Sequence, residues 1–153
     1  MVDARMPERI SLADLERIGA EIAVRLRPGD VIALSGDLGA GKSTLARAIL
    51  RALGHAGEAP SPTFTLVQTY DLDPPVAHAD LYRLDSPREA DSLALDSFLE
   101  DGVLLLEWPE RLGAELWPEA LRLRLHGAGE TSRRLTWETP AAWESRWPPA
   151  PQT

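Results

Sequence analysis

The stretch from Val31 to Leu45, VIALSGDLGAGKSTL, runs an apolar segment into Gly36-x-x-x-x-Gly41-Lys42-Ser43 and then directly into helical periodicity. Few local patterns restrict a fold as tightly, because the loop must leave a buried strand and wrap its amides around an anion at a helix start. The first N–H groups of a helix lack intrahelical partners, and glycine lets the preceding backbone turn them inward. Gly36, Gly39 and Gly41 accept positive φ and bring no Cβ into the space that a β-phosphate needs. Lys42 adds a mobile charge for the β- and γ-phosphates, and the Ser43 hydroxyl sits where it can ligate Mg²⁺. The candidate nucleotide-binding segment is therefore Gly36, Asp37, Leu38, Gly39, Ala40, Gly41, Lys42, Ser43 and Thr44. Strand before and helix after separate it from a chance glycine-rich turn.

The flanking residues give the motif its context. Val31 to Leu34 follows the turn signal Pro28-Gly29-Asp30 and reads as a buried parallel strand. Ser43 to Leu53 reads as a helix with Leu45, Ala48, Ile49 and Ala52 on its core face and Gly54 as its stop. Upstream, Ser11-x-x-Asp14 opens a helix whose apolar stripe is Leu15, Ile18, Ile22 and Leu26. Downstream, Pro60 and Pro62 bias a loop toward extended backbone before a strand with Phe64, Leu66 and Tyr70 in alternation. Val76 to Leu84 reads as a strand ending near Asp80, and Ser86-Pro87-x-Glu89 as a capping box opening a helix to about Leu99. Val103 to Leu106 is a second buried parallel strand, closed by Glu107-Trp108-Pro109. Leu121 to Leu125 and Leu135 to Trp137 alternate strictly and predict an antiparallel hairpin. The expected fold is α/β and P-loop NTPase-like, with a mostly parallel central sheet flanked by helices and a C-terminal antiparallel hairpin. One domain is expected over residues 1–140, with 141–153 a partly disordered tail.

Bulk chemistry narrows the partners. The chain of 153 residues carries 16 basic and 24 acidic side chains, a net charge of −8. That balance argues against a protein that grips RNA or DNA by broad phosphate neutralisation. Arg122, Arg124, Arg133 and Arg134 cluster in sequence but read as solvated outward faces of two strands. With no cysteine, neither disulfides nor thiolate metal sites are available. No apolar run reaches membrane-spanning length and MVDARMPERI does not resemble a signal peptide, so a soluble cytoplasmic protein is expected.

A phosphate cradle alone binds; hydrolysis or transfer also needs carboxylates for Mg²⁺ and for the attacking oxygen. Asp80 and Glu107 each end a strand-like run, so a parallel sheet brings both to its carboxyl edge, where open α/β sheets bind ligands. Either acid can serve metal or water; the other readings are a surface acid after a strand for Glu107 and a cap of the following turn for Asp80. Lys42, Asp80 and Glu107 are thus the candidate catalytic residues, and Ser43, Asp80 and Glu107 the candidate metal ligands. Thr63 and Thr65 have two readings, a γ-phosphate-sensing switch or ordinary threonines at a strand start. His78 reads as a packed strand histidine without a role. Trp108 reads as core, with packing over a nucleotide or against a partner as its other uses. The chain lacks the Asn-Lys-x-Asp motif of GTPases and the Leu-Ser-Gly-Gly signature of transporter ATPases. A small ATPase, a small-molecule kinase and a non-hydrolysing, ATP-controlled assembly module remain.

In their order and spacing, SGDLGAGKSTLARAIL, SPTFTLV, HADLYRL and LLEWPERL resemble the bacterial TsaE family over residues 11–138. The resemblance implies a compact P-loop domain that binds ATP and Mg²⁺ and hydrolyses ATP slowly alone. It also implies work with the TsaB and TsaD proteins in forming threonylcarbamoyladenosine beside the anticodon of tRNA, with tRNA met only through the complex. By matching position it implies a metal-side acid at Asp80, an Mg²⁺-associated glutamate at Glu107, a switch in SPTFTL and a nucleotide contact at Arg134. Ser43 stands where many members have threonine, which preserves the hydroxyl. Neither membrane nor DNA enters this picture.

Overall fold

A computed structural model describes residues 10–36, 40–57, 67–84, 94–112, 117–127 and 134–148. Its centre is a six-stranded sheet made of β1 (Val31–Gly36), β2 (Val67–Tyr70), β3 (Val76–Asp80), β4 (Val103–Glu107), β5 (Leu121–His126) and β6 (Arg134–Glu138). The spatial order is β2-β3-β4-β1-β5-β6. The inner strands β3, β4, β1 and β5 run parallel, and antiparallel β2 and β6 close the two edges. β3 and β4 are buried throughout, as expected of apolar runs covered on both faces. β5 instead alternates, with Leu121, Leu123 and Leu125 inward.

Two helices cover one face, α1 (Leu12–Ala23) and α2 (Lys42–Ala52). Ile32, Leu34, Leu105, Leu121, Leu123 and Leu125 meet Leu15, Ile18, Ile22, Leu45 and Ile49 of the helices there. Gly19 lets α1 and α2 approach closely, since a Cβ built on it would lie 2.6 Å from the Cβ of Ala48. The opposite face carries a smaller core of Val31, Ala33, Ala77, Ala79, Leu104 and Leu106. No helix among the described residues is long and apolar enough to cross a membrane.

α1 starts where the sequence places it. Ser11 Oγ accepts from the Asp14 N–H at 3.1 Å, and the Asp14 carboxylate accepts from the Ser11 N–H at 2.8 Å. The backbone bond from Ser11, joined by smaller contributions from Arg17, holds the Asp14 carboxyl below its ordinary value of 3.8. A group whose folded pKa is depressed stabilises above its unfolded pKa and loses that contribution as pH falls through the folded value. Asp14→Ala is therefore expected to cost about 0.5–1 kcal/mol near neutrality. In thermal melts, the gap between variant and wild type should close as pH drops below Asp14's folded value; a gap independent of pH would contradict the assignment.

Several expectations need correction. α1 stops at Ala23, so Leu26 packs on the core from the following turn and not from the helix. In α2, Leu45, Ala48 and Ile49 are buried, but Ala52 faces solvent in the last turn. The helix expected from Ser86 falls mostly on residues outside those described; its visible end is a 3-10 helix, Leu95–Leu99, preceded by Ala94 at φ 49°. That tighter turn carries the chain into Gly102, where a Cβ would lie 2.6 Å from the Pro75 carbonyl oxygen. The expected tail is built into the fold as far as residue 148. A 3-10 turn, Ala141–Trp143, buries Trp143 fully, and Trp147 is 3 % exposed. The Arg146 guanidinium grips Asp30 at 2.7 and 3.0 Å and lies 3.9 Å from the Trp143 ring centroid. Proline-rich composition concealed three large anchors at short spacing.

Candidate functional site

β1 ends at the carboxyl edge of the parallel strands, where the glycine-rich segment begins. Gly36 ends β1 with φ 141°, and a Cβ there would lie 2.5 Å from the Leu125 carbonyl oxygen of β5. Both the torsion and the close approach demand glycine. Asp37, Leu38 and Gly39 lie outside the described residues, whereas Ala40 is fully buried. Gly41, at φ 113°, is the residue before α2 and has no side chain with which to cap it. Lys42, Ser43 and Thr44 form its first turn. The buried Lys42 ammonium donates to the Gly36 carbonyl at 2.6 Å and stands 4.3 Å from the Trp108 ring centroid.

The two acids arrive from neighbouring strands. Asp80 of β3 is level with Glu107 of β4, and Glu107 is level with Leu34 of β1. Both are buried, Asp80 at 6 % and Glu107 at 2 % exposure. Alternation puts His78, Asp80 and Glu107 on the face that α2 covers, with Val76, Leu105 and Leu34. There Ser43 Oγ donates to the Glu107 carboxylate, 3.0 Å from Oε1 and 3.1 Å from Oε2. Asp80 Oδ1 accepts the Tyr82 N–H at 3.0 Å, which ties the acid to the turn after β3. The structure thus brings Lys42, Ser43, Asp80 and Glu107 to one edge.

Trp108 takes φ 61°, and its N–H donates to the Leu34 carbonyl at 3.2 Å. Its ring is half-buried between Lys42 and Tyr82, 4.8 Å from the Tyr82 centroid, with the Arg111 guanidinium 5.5 Å beyond Tyr82. Core packing was part of its use; flanking the phosphate-loop lysine is the rest. Arg134 begins β6 opposite His126, at the same sheet edge as Gly36, and is exposed. Arg122 and Arg124 occupy the outward face of β5, whereas Arg133, Thr63 and Thr65 lie outside the described residues.

His78 is the residue that sequence reasoning passed over. It is 1 % exposed, and its Nε2 lies 2.6 Å from Glu107 Oε2. The signal was present in Val76 to Asp80, VAHAD, because residues two apart on a strand share a face. Among the described residues, no group of three or more His, Cys, Asp or Glu side chains is placed to hold a metal ion.

Comparisons with known proteins identify relatives of the chain. A family model described as "Threonylcarbamoyl adenosine biosynthesis protein TsaE" matches residues 10–135. The tRNA threonylcarbamoyladenosine biosynthesis protein TsaE of Streptomyces coelicolor is 38 % identical, over 87 % of this chain and 93 % of that protein. Its Haemophilus influenzae counterpart is 40 % identical over 75 % of each. The crystal structure of Bacillus subtilis YdiB superposes with a TM-score of 0.74 at 29 % identity, covering 95 % of this chain and 91 % of that one. The matched span holds the phosphate loop, His78, Asp80 and Glu107, and on these grounds the chain belongs to the TsaE family of threonylcarbamoyl adenosine biosynthesis proteins.

Proposed function

We propose that this chain is a Mg²⁺-dependent ATPase that works with TsaB and TsaD in the cytoplasm to support formation of threonylcarbamoyladenosine in tRNA. The observation that carries the reading is the bond from Ser43 to both oxygens of Glu107, which joins the phosphate-loop helix to an acid on the neighbouring strand. A serine hydroxyl beside a carboxylate makes a hard-oxygen donor pair that suits Mg²⁺, and the start of α2 behind Gly41 suits a phosphate chain. Mg²⁺ commonly leans on one or two carboxylates together with phosphate oxygens and water. When bound, the ion would neutralise charge on the β- and γ-phosphates.

Within this reading the residues divide the work. Lys42 exchanges the Gly36 carbonyl for phosphate oxygens and stabilises charge that grows as the anhydride breaks. The tie to Ser43 favours Glu107 on the metal side and leaves Asp80 to orient the attacking water. Trp108, with Tyr82 against its ring, covers Lys42 with aromatic surface, which strengthens its field by excluding water. Arg134 reaches the nucleotide from the hairpin edge. The acidic surface leaves tRNA to the partner proteins.

The test is ATP hydrolysis by the chain alone and with TsaB, TsaD and tRNA. Slow turnover alone and faster turnover with the complex is the expected result. No hydrolysis in any combination would overturn the ATPase reading, and a phosphorylated small-molecule acceptor formed without the partners would replace it with a kinase.

A further inference from the structure

Resting on the ATPase reading, we propose that His78 is a positioning residue: its Nε2–H donates to Glu107 and fixes how that carboxylate meets Ser43. His78 pairs with Leu105 in register, so Glu107 is its diagonal neighbour one step further along the same face. Diagonal cross-strand pairs are within reach of long side chains, and here the gap closes to 2.6 Å between Nε2 and Oε2. Ser43 approaches the same carboxylate from α2, so Glu107 is held from the sheet and from the helix together.

The placement of the proton follows from the partner. A carboxylate oxygen accepts, so a ring protonated on Nδ1 alone would aim a lone pair at it. The short contact therefore takes the proton on Nε2. A glutamate side chain has three rotatable bonds, and this bond removes the swing that would carry its oxygens away from Ser43. Carboxylate oxygens accept more than one bond each, so Glu107 keeps capacity for a ligand while so held.

The experiment uses the full chain, labelled with ¹⁵N, and reads the imidazole ¹⁵N–¹H correlations of His78. The expected spectrum shows a protonated Nε2, with its signal displaced in Glu107→Gln. A ring with no proton on Nε2 overturns the proposal, and this arm stands even if a His78 variant does not fold. In parallel, His78→Leu is expected to lower kcat for ATP hydrolysis by about ten- to 100-fold with KM held within about three-fold. His78→Gln, whose amide nitrogen can donate from a similar position, should return kcat to within about three-fold of wild type. A purely structural role would depress both variants in step with their melting temperatures. Equal impairment of the two, or a leucine variant like wild type, overturns the proposal. Should the wild type hydrolyse nothing even with its partners, the ATPase reading fails by itself. Calorimetric ATP affinity with and without Mg²⁺ then decides the role of His78: a smaller metal-dependent gain in His78→Leu supports it, and an unchanged gain rejects it.

Discussion

Lys42→Ala is expected to weaken ATP binding and to lower hydrolysis by about 100-fold or more, while the melting temperature moves little. The Nζ atom is buried, bonded to the Gly36 carbonyl and set over the Trp108 ring, so its charge acts where solvent screening is weak. Truncation removes the single mobile cation of the phosphate loop. It leaves the helix start, Gly36 and both acids in place, so residual binding through backbone amides is expected. Lys42→Arg tests geometry against charge, because a planar guanidinium keeps the charge but cannot follow it as a compact ammonium does. Titration calorimetry with ATP and a phosphate-release assay separate the two effects. If affinity and hydrolysis both matched wild type, the proposed mechanism would be wrong.

The second large effect lies at the far end of the chain. Trp143→Ala is expected to destabilise the protein by about 3–5 kcal/mol, the usual cost of removing a buried aromatic from a packed core. For a chain of this size that corresponds to a fall in melting temperature of about 6–20 °C. Trp143 is fully buried in the helix-covered core, beside Trp137 and Trp147. Its loss also takes the aromatic surface from under Arg146, whose two bonds to Asp30 fasten residues 141–148 to the turn before β1. Thermal denaturation followed by circular dichroism checks it; a shift of less than about 2 °C would mean that this segment is not part of the cooperative fold.

These two residues mark what the sequence makes legible. Lys42 could be read because its motif fixes the backbone around it, and parallel register then obliges Asp80 and Glu107 to meet at one edge. Trp143 could not be read, because the prolines that follow it carry the compositional sign of a loose end, while its burial depends on a long-range pair between Arg146 and Asp30. The matched family span ends at residue 135, before this segment begins. His78 fell between the two cases. Its spacing from Asp80 was visible, but an apolar strand hides a hydrogen-bonded histidine as readily as a merely packed one, and only the register with β4 identifies its acceptor. The 3-10 turn at Leu95–Leu99 was missed for a different reason: its residues suit an α-helix, and the approach of Gly102 to the Pro75 carbonyl sets the tighter path.

The placement of the tryptophans also governs what light emission from this protein can report. Trp137, Trp143 and Trp147 share the helix-covered interior, Trp117 bonds Asp96, and Trp108 lies against Lys42. Intrinsic fluorescence of the native chain therefore mixes a global unfolding signal with a local one. Replacing the other four indoles would silence the first, but Trp143 is among them and the molecule depends on it. A clean optical probe of the loop is more safely made by subtraction, comparing wild type with Trp108→Phe as nucleotide is added.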